Sequence, residues 1–109
     1  MDRKTQERYR RILSLAQMHV LTGKFRPSIH STERGAQREI MLGEAEAATL
    51  DPDARVVGTR SFHPEGETFR IAGRRADGLP IEVVVAFDNN DPEKAVELRV
   101  VTVMYPDEV

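Results

Sequence analysis

The sequence predicts an α+β domain in which two to three N-terminal helices pack on one face of a four-stranded antiparallel sheet. Apolar residues recur at helical spacing in the first half of the chain, and strand-type alternation replaces that spacing in the second half. Turn residues divide the second half into four short segments. Of the 109 residues, 39% are hydrophobic, which is enough for one small core. A single domain over residues 1–109 is therefore expected.

The first predicted element is an N-terminal helix within residues 1–22 that begins near residue 3. An apolar stripe at three- and four-residue spacing supports it and consists of Tyr9, Ile12, Leu13, Ala16 and Val20. Gly23 follows the stripe directly, at the position where many helices end on a glycine. The pattern therefore fixes both the buried face and the end of this helix.

A second helical segment is predicted over residues 28–51, after a short connection at residues 24–27. Ser28 is a suitable N-terminal cap for a helix over about residues 29–38. Gly35 weakens that helix by about 1 kcal/mol relative to alanine, so a break is expected before a third helix over about residues 41–50. The sequence Asp51-Pro52-Asp53 ends the helical half.

The second half predicts an antiparallel meander over residues 55–106. Its four strands are expected at residues 55–60, 68–75, 81–88 and 96–105, with a polar loop at residues 61–67. Asp77-Gly78 is a strong hairpin signal between the second and third strands. The third strand is almost entirely apolar, which indicates a central position in the sheet.

Alternation along these strands assigns the side chains to two faces. The face toward the helices is expected to carry Ile81, Val83, Val85 and Phe87, together with Leu98, Val100, Thr102 and Met104. The other face is expected to carry Arg70, Glu82, Val84, Arg99, Val101 and Tyr105. A face that mixes aliphatic, charged and aromatic side chains is typical of a binding or dimer surface. The alternative is that the chain's own termini or loops cover it, with Arg70 and Glu82 as a simple cross-strand ion pair.

Charge is distributed unevenly around the formal net charge of −2. Residues 1–38 carry nine basic and three acidic side chains, whereas the remaining residues carry seven basic and fifteen acidic ones. A basic helical half suits a nucleic acid or an acidic protein partner. The alternative is a solvated helix whose charges pair with the acidic half of the chain.

The sequence lacks the residues that several classes of enzyme and metal-binding protein require. The chain has no cysteine, so disulfides, thiol nucleophiles and cysteine-ligated zinc are excluded. It has no Gly-x-Ser-x-Gly sequence and no glycine-rich phosphate loop, and its histidines at 19, 30 and 63 lack metal-ligand spacing. Neither a membrane span nor a secretory signal is recognisable. We therefore expect a cytoplasmic protein with no cofactor and no metal.

The remaining polar residues form a set that could cleave an RNA phosphodiester without a metal. His30 or Glu82 could act as base or acid, and Arg34, Arg38 and Arg70 could hold the phosphate. Tyr105 could stack on a base or donate a proton. Each residue also has a structural alternative. His30 could cap a helix, the helical arginines could pair with glutamates, Arg70 could pair with Glu82, and Tyr105 could close the edge of the core.

The order of several short motifs resembles a known family. The motifs are Gly23-Lys24-Phe25-Arg26-Pro27-Ser28-Ile29-His30, Glu33-Arg34, Arg38-Glu39-Ile40, Phe69-Arg70-Ile71-Ala72-Gly73-Arg74, Asp77-Gly78-Leu79-Pro80-Ile81-Glu82-Val83-Val84-Val85 and Val100-Val101-Thr102-Val103-Met104-Tyr105-Pro106. Together they resemble a family of small, mostly bacterial domains of unknown function. That family is similar to the RelE and BrnT toxins, within the barnase–EndoU–colicin–RelE group of metal-independent ribonucleases.

The resemblance implies helices followed by an antiparallel sheet, and RNA cleavage. The positions that it marks are His30, Arg34, Arg38, Arg70, Thr102 and Tyr105. The chain departs from the family pattern in three places. Glu82 stands where the family usually has a histidine, Glu39 replaces a glycine, and Tyr105 comes one residue late, behind Met104.

Three functional hypotheses follow. The first is a toxin-type ribonuclease that acts on free or ribosome-bound RNA and is regulated by an antitoxin or another protein. The second is a non-catalytic domain of the same fold that binds a protein or forms a homodimer. The third is a nucleic-acid-binding module that uses Arg8, Arg10 and Arg11 of the basic half.

Overall fold

The structure, a computed structural model, describes residues 2–27, 37–63 and 66–105. Two α-helices and five strands lie within these ranges, together with one turn of 3-10 helix at Asp88–Asn90. In chain order they are α1 (Arg3–Leu21), β1 (Phe25–Pro27), α2 (Gln37–Leu50), β2 (Arg55–His63), β3 (Gly66–Arg74), β4 (Pro80–Phe87) and β5 (Leu98–Met104). The helices pack on one face of the sheet, so the predicted α+β class is confirmed.

The sheet has five described strands in the order β1-β5-β4-β3-β2, which corrects the predicted four-stranded antiparallel sheet. The antiparallel meander from β2 to β5 is present, but β1 adds a parallel pairing with β5. The amide of Leu98 donates to the carbonyl of Lys24 over 2.8 Å, and Phe25 is buried in the core. Three residues are too few to show alternation, so this segment was wrongly predicted to be only a connection.

Helix α1 agrees with its predicted bounds to within a residue at each end. The Asp2 carboxylate accepts a hydrogen bond of 2.8 Å from the amide of Thr5, which caps the first turn. Gly23 has a φ of +74°, and the amide of Lys24 donates back to the carbonyl of His19 over 2.8 Å. A positive φ at this position is the reason that glycine ends the helix. The stripe of Ile12, Leu15 and Ala16 faces the sheet.

Helix α2 runs through the boundary that was predicted between two helices near residues 38–41. Most of the predicted helix at residues 29–38 lies outside the described residues. Ala45 and Ala48 are fully buried against the sheet. Just beyond the helix, Asp51 accepts hydrogen bonds from the backbone amide and the guanidinium of Arg74, at 2.8 and 3.0 Å. These bonds lower the pKa of Asp51 to about 2 and fix the end of α2 to β3.

The connection between β2 and β3 is shorter than the loop predicted at residues 61–67. Strand β2 continues to His63, which pairs with Gly66. Thr59, Arg60 and Ser61 are all exposed, because β2 is the last described strand on its side of the sheet. An edge strand with polar side chains on both faces carries no alternation, so the sequence pattern ended it too early.

The core lies between the helices and the inner face of the sheet. Ile81, Val83, Val85 and Phe87 all belong to it, as alternation predicted. Phe69 and Ile71 on β3 and Leu98 on β5 complete its largest side chains. We call the opposite face of the sheet the open face.

Strand β5 changes the face of its side chains part-way along. Val85 pairs with Val100, but Val84 pairs with Thr102, so Val101 is an extra residue in a β-bulge. Beyond the bulge, Val103 lies in the core and Tyr105 packs against it, whereas Thr102 and Met104 face the open side. The predicted faces of Tyr105, Thr102 and Met104 were therefore wrong, because simple alternation does not reveal a bulge.

Candidate functional site

The open face presents three rows of residues that run across the sheet. The rows are Arg60–Thr68–Ala86–Arg99, Gly58–Arg70–Val84–Thr102 and Ala72–Glu82–Met104. The second row crosses four strands, which is a width of roughly 14 Å at the usual strand spacing. The first row continues onto β1, where Arg26 pairs with Arg99. Residues from different parts of the sequence are therefore held in fixed positions by the backbone ladder of the sheet.

A groove of about 450 Å³ lies over the middle of these rows. It is lined by Thr59, Arg60, Thr68, Arg70, Val84, Val101, Thr102 and Met104, which we call the open-face groove. Two guanidinium groups, three hydroxyl groups and three apolar side chains thus share one concave surface. Cations and hydroxyls that converge beside an apolar floor are typical of a small-molecule or nucleotide site.

Arg70 lies on the surface of the sheet between two neighbouring strands. Its Nη1 is 3.8 Å from Oε1 of Glu82, and its side chain is 45% exposed. On the other side it approaches Gly58 so closely that a Cβ there would lie 2.5 Å from Nη2. The missing side chain of Gly58 therefore makes the room in which the guanidinium lies.

Glu82 places one carboxylate oxygen in an unusual environment. Its Oε1 is inaccessible to solvent and has no hydrogen-bond partner among the described residues. A buried oxygen without a partner costs about 1–3 kcal/mol, so its presence is a destabilising feature of the fold. The Arg70–Glu82 ion pair is long and half-exposed, and such pairs contribute only about 0–1 kcal/mol. The two residues are thus poorly explained as a purely stabilising cross-strand pair.

Apolar residues form the floor of the open face. Val84, Ala86 and Val101 are buried together, with Met104 packed against them, and we call these four residues the apolar strip. Val84 and Val101 are 9% and 8% exposed. Their low exposure places them at the bottom of the groove rather than on a flat outer patch.

Tyr105 lies on the other side of the sheet, which corrects its predicted place beside Arg70. Its hydroxyl donates to Oε2 of Glu44 over 2.8 Å, and the guanidinium of Arg75 lies 5.9 Å from the ring centre. The hydrogen bond to Glu44, followed by burial, raises the pKa of Tyr105. The phenol is therefore occupied in a contact with α2 and does not reach the groove.

The predicted site residues divide into three groups. Arg70, Glu82 and Thr102 come together on the open face. Arg38 belongs to α2, an element on the helix-covered side of the sheet. His30 and Arg34 lie outside the described residues, so their roles stay predictions.

Sequence reasoning missed Arg60 and Met104 in the groove, and Gly58, which positions Arg70 beside it. The register between β2 and β3 places Arg60 beside the row that contains Arg70. The bulge at Val101 brings Met104 to this face. Neither feature has a signal in the sequence alone. A glycine inside a strand is the one hint that was available, because it often marks a close approach of another group.

Two arginines of α1 are paired with the acidic half of the chain. Nη2 of Arg8 contacts Oε1 of Glu67 at 2.8 Å, and Arg11 makes two hydrogen bonds of 2.9 Å to Glu93. These contacts favour the interpretation of α1 as a helix whose charges pair with the rest of the domain. They also leave less of its charge for a nucleic acid.

Other kinds of site find no support in the part of the chain that the structure describes. No group of three or more His, Asp or Glu side chains is placed there to hold a metal ion. No helix within those residues is long and apolar enough to cross a membrane. Comparison of the chain with protein-family models, curated proteins and solved structures finds no match. The geometry of the groove and the resemblance of the motifs are therefore the two indications of function.

Proposed function

We propose that this chain is a RelE-like domain that cleaves RNA as a metal-independent ribonuclease, with the open-face groove as its site. The observation that carries the proposal is the pair formed by Arg70 and Glu82. A guanidinium and a carboxylate oxygen without a hydrogen-bond partner among the described residues lie 3.8 Å apart. This is a minimal arrangement for charge stabilisation and proton transfer at a phosphodiester.

The chemistry needs only one base and one cation at the reacting phosphate. Glu82 is 26% exposed although its Oε1 is buried, so its other oxygen, Oε2, takes the proton of the ribose 2′-hydroxyl, and the 2′-oxygen attacks the phosphorus. Arg70 stabilises the negative charge that develops on the phosphoryl oxygens, because guanidinium remains charged at any working pH. The P–O5′ bond breaks, the 5′-oxygen takes a proton from water, and a 2′,3′-cyclic phosphate results. Thr102 and Arg60 line the same groove and bind the flanking backbone.

A second candidate function is homodimerisation through the open face. The apolar strip favours it, since an apolar patch on a sheet face is a common subunit contact. The groove argues for the first candidate, because a subunit contact over the open face would bury its two guanidinium groups, and burying a charge is unfavourable. The two functions differ in solution. A dimer is recognised by its mass, and Val101→Asp would return it to a monomer.

Growth after induced expression in bacteria tests the ribonuclease, because cells supply both ribosomes and translated RNA. We expect the wild type to arrest growth. Arg70→Ala removes the cation that binds the RNA phosphate, and Glu82→Gln removes the base. Both variants are therefore expected to permit growth at equal soluble expression. Arg10→Ala is the matched control, because Arg10 is exposed on α1, away from the groove.

Cleavage of RNA by the purified protein completes this test. The expected product carries a 2′,3′-cyclic phosphate, and its yield should be unchanged by EDTA. Arg70→Ala and Glu82→Gln are expected to lower the rate at least about 100-fold, which is typical for the loss of one catalytic group. The proposal is wrong if the wild type neither arrests growth nor cleaves RNA, or if both variants retain the wild-type rate in a folded protein.

A further inference from the structure

We infer that the open-face groove contains a separate subsite for one nucleobase, on the floor formed by Val84, Val101 and Met104. The inference rests on the proposed function, which places the RNA phosphate at Arg70. It adds a second contact of different chemistry, and it divides the groove into an apolar base subsite and a cationic phosphate subsite.

The layout of the groove separates these two kinds of surface. Arg70 and Arg60 stand on β3 and β2, whereas the apolar floor lies on β4 and β5. Arg70 and Val84 are direct cross-strand partners, so the two subsites adjoin. Adjacent strands are about 4.8 Å apart, which is within the reach of one nucleotide from its phosphate to its base.

The bulge in β5 builds the floor. Without an extra residue, only one of Val101 and Thr102 would face the groove, whereas here both line it. The same shift brings Met104 to this face. Bulges often change the direction of side chains beside functional sites. This bulge creates an apolar surface with a hydroxyl at its rim.

The floor has the chemistry of a base subsite. The faces of a nucleobase are apolar and its edges carry hydrogen-bonding groups. Val84 and Val101 supply a shielded apolar surface, and the polarisable thioether of Met104 adapts to a flat ring. The Thr102 hydroxyl also lines the groove and can meet a base edge. A volume of about 450 Å³ suits a single nucleotide.

Binding of two small probes to the purified full chain tests the subsite. Uridine 5′-monophosphate and ribose 5-phosphate share the same phosphate and sugar, and they differ only in the base. We expect the nucleotide to bind about tenfold more tightly, measured as the ratio of the two Kd values by calorimetry or NMR titration. Arg70→Ala should weaken both probes.

Variants of the floor separate the base contact from the phosphate contact. Met104→Ala is expected to bring the ratio of Kd values close to one while the Kd of ribose 5-phosphate stays unchanged. Val101→Thr, which keeps the shape of the side chain, provides a second variant if Met104→Ala unfolds. Leu79→Ala is the control, because Leu79 is an exposed residue that does not line the groove.

The outcomes distinguish this inference from the proposed function. Equal binding of the two probes by the wild type, or the absence of binding by either, overturns the base subsite. So does a loss of affinity for both probes in Met104→Ala. The RNA cleavage assay is read independently. A protein that prefers the nucleotide but cleaves no RNA supports the subsite and contradicts the ribonuclease, and the reverse result contradicts only the subsite.

Discussion

At Gly58, the absence of a side chain decides where a cation can lie. An added Cβ would approach Nη2 of Arg70 to 2.5 Å and Nε to 3.0 Å. The clash is with the end of a flexible side chain, so Gly58→Ala should displace Arg70 without unfolding the sheet. We expect a drop in phosphate affinity of about tenfold, measured with ribose 5-phosphate, and a thermal midpoint close to that of the wild type.

A double-mutant cycle shows whether Gly58 acts through Arg70. In an Arg70→Ala background, Gly58→Ala has no guanidinium to displace, so it should cause no further loss of affinity. The two effects would then be strongly non-additive. Equal losses in both backgrounds would instead mean that Gly58 contributes to binding by itself, and its positioning role would be refuted.

The sequence could place some of the site residues but not others. Arg70 and Glu82 lie in regular stretches of strand, where alternation assigns the correct face. Thr102 and Tyr105 lie beyond the bulge at Val101, and both received the wrong face. The resemblance marked Tyr105 by its position in a motif, but one additional residue in β5 moves that side chain to Glu44. A single local irregularity therefore separates a residue's place in a motif from its place in the fold.

At the scale of elements, the contact between α2 and β3 depends on two small residues. A Cβ at Gly73 would lie 2.0 Å from the carbonyl oxygen of Ala48, which belongs to the helix backbone and cannot rotate away. Gly73→Ala must therefore push α2 from the sheet. We expect the free energy of unfolding to fall by at least about 1–3 kcal/mol, as is usual for overpacking.

Gly43→Ala is the matched control for this prediction. Gly43 lies inside the same helix and is exposed, with nothing within 4 Å of an added Cβ. Alanine in an exposed helix interior is more favourable than glycine by about 1 kcal/mol, so this variant should be more stable than the wild type. Urea denaturation of both variants checks the pair. A Gly73→Ala protein as stable as the wild type would show that α2 does not pack this closely on β3.

Elements were predictable where their pattern is long and were missed where it is short. Nineteen residues of α1 carry a repeating stripe and a terminal glycine, and the helix was placed correctly. The three residues of β1 have no room for a pattern, and their pairing depends on β5, which lies about 70 positions later in the chain. Such a pairing is a property of the assembled sheet, because neither segment alone specifies it.

At the scale of the whole molecule, charge pairing joins the basic first half of the chain to its acidic second half. Arg8 and Arg11 reach from α1 to Glu67 and Glu93, in the regions before and after β4. Each pair is exposed and weak by itself. Together they account for part of the charge asymmetry that the sequence shows, and they leave the cations of the open-face groove as the better candidates for binding a phosphate.

The stability of the whole fold should depend on pH through His19. This side chain is 4% exposed in α1, and its ring packs edge-on against Phe87 at 6.0 Å. Burial lowers the pKa of His19 below its ordinary value of 6.5. In the unfolded chain the imidazole binds a proton near pH 6.5, whereas in the folded protein it binds a proton only at a lower pH. The unfolded state therefore binds more protons as the pH falls below about 6.5, and the fold loses stability.

This dependence can be isolated with His19→Leu, which removes the titrating group and keeps an apolar side chain at the same place. The contribution of His19 has a slope of at most about 1.4 kcal/mol per pH unit, and it lies between pH 6.5 and the lower pKa of the folded state. We expect the free energy of unfolding of the wild type, measured in urea, to fall more between pH 7.5 and pH 5.5 than that of His19→Leu. His30 and His63 are present in both proteins, so their titration cancels in the comparison. If the two proteins lose equal stability over this range, His19 accepts a proton in the folded state as readily as in the unfolded chain, and its burial beneath α1 does not exclude the charge.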